Sequence, residues 1–171
     1  MLLHPEGLLE DFLRNLKSRH GFEIESSDLT HELCKAPIDQ KKLRLLPAKG
    51  AVYVFSLSGC SKAPAGPNRV LKVGKVGSKS LSRFKYQHYN PGSANSTLAG
   101  SIKLSGILWE YIGFNSDTHE TADFGKWLMG NADRDHFFVK DLPVEMGDKK
   151  IYPLELLEIY LKGVLGPVFE G

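Results

Sequence analysis

Apolar residues near the start of the chain recur at helical spacing, whereas those in the middle form unbroken runs. Leu9, Phe12, Leu13 and Leu16 lie three and four positions apart after Pro5, which predicts an amphipathic helix over 6–18 that ends near Gly21. Ser27 or Asp28 offers an N-cap for a second short helix carrying Leu29, Leu33 and Cys34, stopped by Pro37. The pattern then changes. The runs from Gly50 to Leu57 and from Arg69 to Val76 are rich in β-branched and aromatic residues and predict two strands. Between them Ser58 to Asn68 is crowded with Gly, Pro and Ser, so the strands pair as a hairpin with an enlarged loop.

Residues 78–89 predict a helix closed by Asn90, Pro91 and Gly92, and 95–106 another short one. The stretch from Ile107 to Gly113 follows neither period. Residues 121–130 read as helical, His136 to Lys140 as a third strand, and 153–165 as a closing helix before Gly166 and Pro167. This order predicts an α+β fold, with a small central antiparallel or mixed three-stranded sheet flanked by helices. It divides into an N-terminal helical extension over 1–45 and a main domain over 46–171.

A length of 171 residues with 42% hydrophobic content suits one sizeable core. No run approaches the roughly 20 apolar residues that span a bilayer. The start, Met1 to Glu6, lacks a basic region followed by an apolar one, so the expectation is a soluble cytoplasmic protein without a membrane partner. Cys34 and Cys60 have neither disulfide-framework nor zinc-ligand spacing. His4, His20, His31 and His119 are scattered, and the stretch from Asn131 to His136 reads as a turn before a strand rather than a metal cluster.

Charge changes the picture. The net charge is only +2, yet from Gln40 to Trp109 there is no Asp or Glu among twelve Lys and Arg. The remaining ten basic residues share the flanks with all 20 acidic ones. Because the basic residues interleave with Tyr53, Phe84, Tyr86, His88 and Tyr89, the segment reads as a polyanion-binding face rather than a disordered tail. Lys75, Lys79 and Lys85 are its candidate nucleic-acid contacts.

Four residues carry candidate chemistry: Tyr53 in the first strand, Lys72 in the second, Arg83 on the following helix and Glu158 on the last. Breaking a phosphodiester by in-line attack requires positive charge around the developing oxyanions. Arginine supplies paired donors matched to two phosphate oxygens, and a glutamate supplies a hard oxygen ligand suited to magnesium. A tyrosine becomes a usable base only if neighbouring cations lower its pKa, as Lys72, Arg83 and the metal would. On the last helix Leu154, Leu157, Leu161 and Leu165 form the apolar stripe. At about 100° per residue Glu158 falls at the edge of that stripe and Glu155 points toward solvent.

Taken together, Ala51-Val52-Tyr53, Lys72-Val73-Gly74, the helix bearing Arg83, and the ending from Glu158 through Pro167 and Phe169 resemble the GIY-YIG nuclease family over about residues 50–171. Four positions depart from the family pattern. Ala51 stands for the leading Gly, Lys72 for the second Tyr, Glu170 for the usual Asn, and Gln87 for a His or Tyr one turn beyond Arg83. The resemblance implies that Tyr53 acts as general base or acid, that Lys72 activates the nucleophile or holds phosphate, and that Arg83 clamps the scissile phosphate. It further implies that Glu158 binds one Mg2+ or Mn2+. Tyr86 and His88 flank the vacated position, and His88 is the expected proton carrier near neutral pH. The implied activity is divalent-metal-dependent endonuclease cleavage of DNA, with a homodimer compatible. The alternatives are an RNA endonuclease and a nucleic-acid-binding module that has lost catalysis.

Overall fold

The computed structural model describes residues 5–93, 97–115 and 124–169. Glu170, His4 and His119 lie outside them, as do the starts of the helices expected over 95–106 and 121–130. The elements in chain order are α1 (Pro5–His20), β1 (Thr30–Cys34), β2 (Lys49–Leu57), β3 (Val70–Val76), α2 (Leu81–Lys85), α3 (Leu98–Leu104), α4 (Trp109–Ile112), α5 (Phe124–Asn131), β4 (Ala132–Lys140), β5 (Val144–Met146), β6 (Lys149–Ile151) and α6 (Pro153–Leu165). The α+β class is as expected. No described helix is long and apolar enough to cross a membrane.

The main sheet has four antiparallel strands in the order β1-β4-β2-β3, not three. Its extra strand, β1, occupies the segment expected to be the second helix, so the N-terminal segment is not purely helical. Leu29 and Leu33 have helical spacing, but long-range pairing with β4 overrides it, as is common for short segments of weak local preference. His31 bonds Asp135 at 2.7 Å and packs its ring, tilted, against Phe137, and the Ala36 N–H donates to Asp133 at 2.8 Å. Those contacts also explain why Asn131 to His136 is not a turn. Asp133 and Asp135 point to one side of a strand that begins at Ala132, and Arg134 and His136 to the other.

β2 is buried along almost its whole length because helices cover both faces of the sheet, which is why its run is apolar rather than alternating. Ala51, Tyr53 and Phe55 face a core built with Phe84, Tyr89, Leu98, Ile102 and Leu128. Val52 and Val54 face a second core, where α6 contributes Leu154, Leu157 and Leu161 and α1 contributes Leu8, Phe12 and Leu16. Hence α2 and α6 stand on opposite sides of the sheet. After α6 the chain returns along β3, where the N–H groups of Val168 and Phe169 donate to the Val70 and Leu71 carbonyls.

The helix expected over 78–89 is shorter. It comprises α2 and a separate 3-10 turn over Gln87–Tyr89, broken at Tyr86. The β5–β6 hairpin was not expected, although Gly147-Asp148 between Met146 and Lys149 is a two-residue turn signal, with Gly147 at φ 58°.

Candidate active site

Gly74 is the pivot of the site. It pairs across from Tyr53 in the β2–β3 register, so both lie on the same face of the sheet. A Cβ on residue 74 would meet the Tyr53 hydroxyl and lie 2.6 Å from its Cζ and 2.8 Å from Cε2. Only the missing side chain lets the phenol cross β3 and reach the edge of the sheet. There Lys75, pointing to the opposite face, and the α6 glutamates come round to meet it.

The result is a cleft of about 440 Å³ whose lining includes Tyr53, Lys72, Lys75, Arg83 and Glu158. Four of the six residues expected to be catalytic are thus gathered from β2, β3, α2 and α6. Lys72 faces the same side as Tyr53 because it pairs with Phe55. Arg83 is exposed at the rim. The loop between β3 and α2 is fixed from below by Asp141, whose Oδ2 accepts from the Ser78 N–H at 2.7 Å and its hydroxyl at 2.9 Å.

Glu158 has a side chain only 14% exposed and holds two ammonium groups, Lys75 at 3.2 Å and Lys162 at 3.1 Å. The Lys75 ammonium also reaches Glu155 at 3.1 Å. Glu155 therefore belongs to the cleft, whereas its helical angle alone pointed to solvent. Within the acid-free basic segment, Lys75 receives its counter-charges from the C-terminal flank, from Glu155 and Glu158.

Burial decides the protonation of the reactive groups. The Tyr53 phenol is 1% exposed, and desolvation pushes its pKa up to about 12 against the pull of Arg83 and Arg134. Burial here outweighs the neighbouring cations Arg83 and Arg134. Lys72 is 2% exposed, and its pKa is lowered by burial first, then by Lys162 and Arg83. Of the two, Lys72 is the group moved toward accepting a proton at neutral pH.

Two other expectations fare differently. Tyr86 is 51% exposed and does not line the cleft. His88 is buried against the Tyr53 ring, 4.4 Å between centroids, and its pKa is pushed down to about 3 by burial, with Arg134, Lys72 and Arg83 adding to the effect. A ring held neutral in the core is no proton carrier near pH 7. Lys79 is exposed and Lys85 half-buried, and neither lines the cleft. Sequence reasoning missed Arg134, which is wholly buried beneath Tyr53 with its guanidinium 5.2 Å from the ring centroid.

No family model, curated protein or solved structure matches the chain. What the chain offers toward a function is its own residues and where the fold brings them.

His88 and His136 give the fold an acid limit. Both rings are held neutral when folded, while the unfolded chain protonates a histidine near 6.5. Protonation therefore favours unfolding. Stability is full above pH 6.5 and falls as the pH drops toward 3, with a slope approaching about 1.4 kcal/mol per pH unit for each ring. Urea titrations between pH 4 and 7 should record this fall, and His88→Phe should remove about half of the slope. An unaltered slope would refute the sealed position of His88.

Proposed function

We propose that the chain is a divalent-metal-dependent endonuclease of the GIY-YIG type that hydrolyses phosphodiester bonds in DNA. The observation carrying this reading is the convergence of Tyr53, Lys72, Arg83 and Glu158, separated by up to about a hundred residues in sequence, on one cleft at the edge of β3. Their chemistry matches the needs of in-line attack. Arg83 at the rim holds two nonbridging oxygens of the phosphate. Lys72 in its neutral form accepts the proton of the attacking water as the new P–O bond forms and the P–O bond to the leaving oxygen breaks. Tyr53 stays a neutral phenol and orients water or phosphate by hydrogen bonding, not as a base.

The donor set fits a hard cation. The Lys75 ammonium already sits between carboxylate oxygens of Glu155 and Glu158, so this spot accepts positive charge. Among the described residues no three His, Cys, Asp or Glu side chains gather as a metal-binding group. Mg2+ and Mn2+ take one or two carboxylates and complete their shells with water and phosphate oxygens, so two glutamates would be a sufficient protein donor set. Glu158, with Glu155 beside it, would hold the ion, which when bound neutralises charge developing on the phosphate.

A second reading, a nucleic-acid-binding module without catalysis, draws on the same ion pairs, since Lys75 and Lys162 leave Glu158 internally neutralised. Supercoiled plasmid and structured RNA incubated with Mg2+ or Mn2+, with and without EDTA, separate the cases. Metal-dependent nicking of the plasmid supports the nuclease reading; salt-dependent binding with no strand breaks in either substrate supports the module. Cleavage of RNA alone would replace the DNA substrate. If Lys72 is the proton acceptor, the rate should rise with pH through a pKa below 10.5. Lys72→Met should remove that limb and slow cleavage roughly a hundredfold. A limb that survives the substitution assigns the proton elsewhere.

A further inference from the structure

We propose that Arg134 is a positioning residue that couples Arg83 to Tyr53, so that phosphate holder and phenol move as one unit. This rests on the nuclease reading and extends it to a residue outside the cleft lining. Arg134 is wholly buried on β4, on the same face as Tyr53. Its guanidinium lies 5.2 Å from the Tyr53 ring centroid and 4.4 Å from that of Phe84. Its Nη1 donates to the Phe84 carbonyl at 2.8 Å, and Phe84 directly follows Arg83 in the chain.

That bond joins two other anchors of α2, the buried Phe84 side chain and the Asp141 bonds to the preceding loop, and it alone ties the helix backbone to Arg134. The helix spans five residues, and its N-cap, Ser80, makes no side-chain capping bond. A helix so short has no intrinsic stability and takes its position from what it packs against. Phe84, wholly buried, is its hydrophobic anchor, and Arg134 both stacks on that ring and bonds its carbonyl. The same guanidinium also lies over the Tyr53 ring at 5.2 Å and the Phe55 ring at 5.0 Å, so it contacts the ring that carries the phenol. One rigid planar group thereby sets the distance between two functional side chains that come from different elements.

Stability alone is a poor account of the residue. A buried cation costs desolvation, and an apolar side chain of similar volume commonly serves a core as well or better. Nε of Arg134 finds no acceptor among the described residues, so the position is not optimised for hydrogen bonding either. What an apolar residue could not supply is the simultaneous bond to the α2 backbone and the stack on Tyr53.

The test is a double-mutant cycle between Arg83→Ala and Arg134→Met. Arg134→Lys serves as a second variant that keeps the charge but loses the planar stack. Binding of a DNA duplex is measured in EDTA, and single-turnover cleavage is normalised to folded protein. Arg134→Met should weaken binding nearly as much as Arg83→Ala, and the double variant should bind no worse than Arg83→Ala alone. Cleavage should fall about a hundredfold, as expected when reacting groups are misplaced by an ångström. Hydrogen exchange of the α2 amides, measured without substrate, should accelerate in Arg134→Met more than exchange of the β2 amides. Additive losses in the cycle, or uniform acceleration across the fold, would overturn the proposal. Wild-type protein that never cuts would instead remove the nuclease reading, while selective loosening of α2 would still uphold the coupling.

Discussion

Glu158→Gln is expected to lower metal-dependent cleavage by roughly a hundred- to a thousandfold, the scale on which preorganised charge stabilisation is lost. The cleft offers three carboxylates among its described lining residues, and their surroundings rank them. Asp141 is committed to the Ser78 N–H and hydroxyl. The Glu155 side chain is 55% exposed, so solvent screens much of its charge. Glu158 is 14% exposed, and its charge is felt by both Tyr53 and Lys72, opposing the fall in the lysine's pKa. Gln keeps the shape and removes the charge, so a fold that melts at the same temperature but fails to cut isolates the electrostatic role.

The companion to this experiment is Lys75→Met. If the lysine ammonium and the metal compete for Glu158, removing the ammonium should tighten Mn2+ binding about two- to fivefold, in keeping with the modest strength of partly exposed ion pairs. Electron paramagnetic resonance of free Mn2+ reads this without any substrate. Weaker binding in Lys75→Met would mean that the lysine supports the metal site instead of opposing it. Unaltered cleavage in Glu158→Gln would take the metal off Glu158 and leave Glu155 as the carboxylate to test next on α6.

The legible parts of this chain were those whose neighbours in space are also neighbours in sequence, or whose period is long enough to be unambiguous. The bounds expected for α6, 153–165, are those the structure has, because Pro153 opens it, Gly166 ends it at φ 52° and four leucines keep a single stripe. The β2–β3 hairpin was legible for a similar reason: the Gly-, Pro- and Ser-rich stretch from Ser58 to Asn68 joins strands that are consecutive in the sequence, and the Leu57 N–H donates to the Arg69 carbonyl where they meet. β1 was illegible. Its pairing partner lies about a hundred residues away, and nothing local says that His31 will meet Asp135.

The candidate site followed the same rule. Tyr53, Lys72, Arg83 and Glu158 could be picked out by residue type and order, and the fold gathers them. Their protonation could not, because it depends on burial. Counting cations along the sequence suggested a lowered phenol pKa, but desolvation wins and the value goes up to about 12. Arg134 was hidden by a boundary error. Expecting β4 to begin at His136 left Arg134 in a turn, although alternation with Phe138 and His136 would have turned it toward the Tyr53 face.

Gly74→Ala is the other substitution expected to have a large effect, and two principles oppose each other there. In a strand interior Ala is ordinarily better than Gly by roughly 0.5–1 kcal/mol, because glycine loses more backbone freedom on folding. Against that stands the overlap with Tyr53, whose Cζ and Cε2 would lie 2.6 and 2.8 Å from the new methyl. Relief would require the ring to swing away, and it is wedged between His88 at 4.4 Å and Phe55 at 5.8 Å. Overpacking of this kind typically costs about 1–3 kcal/mol, so the clash wins and the variant should be less stable than wild type in urea. It should also lose nearly all cleavage, since the phenol can no longer cross β3. Tyr53→Phe separates the two losses. It keeps the ring, should change stability by only about 1 kcal/mol, and should still slow cleavage by roughly a hundredfold if the hydroxyl orients water or phosphate. In the Gly74→Ala background, Tyr53→Phe should recover little stability, because the contacts to Cζ and Cε2 remain, whereas Tyr53→Ala should recover more. A Gly74→Ala protein as stable and active as wild type would mean that the phenol does not pass over residue 74, and the geometry of the cleft would have to be redrawn around Lys72.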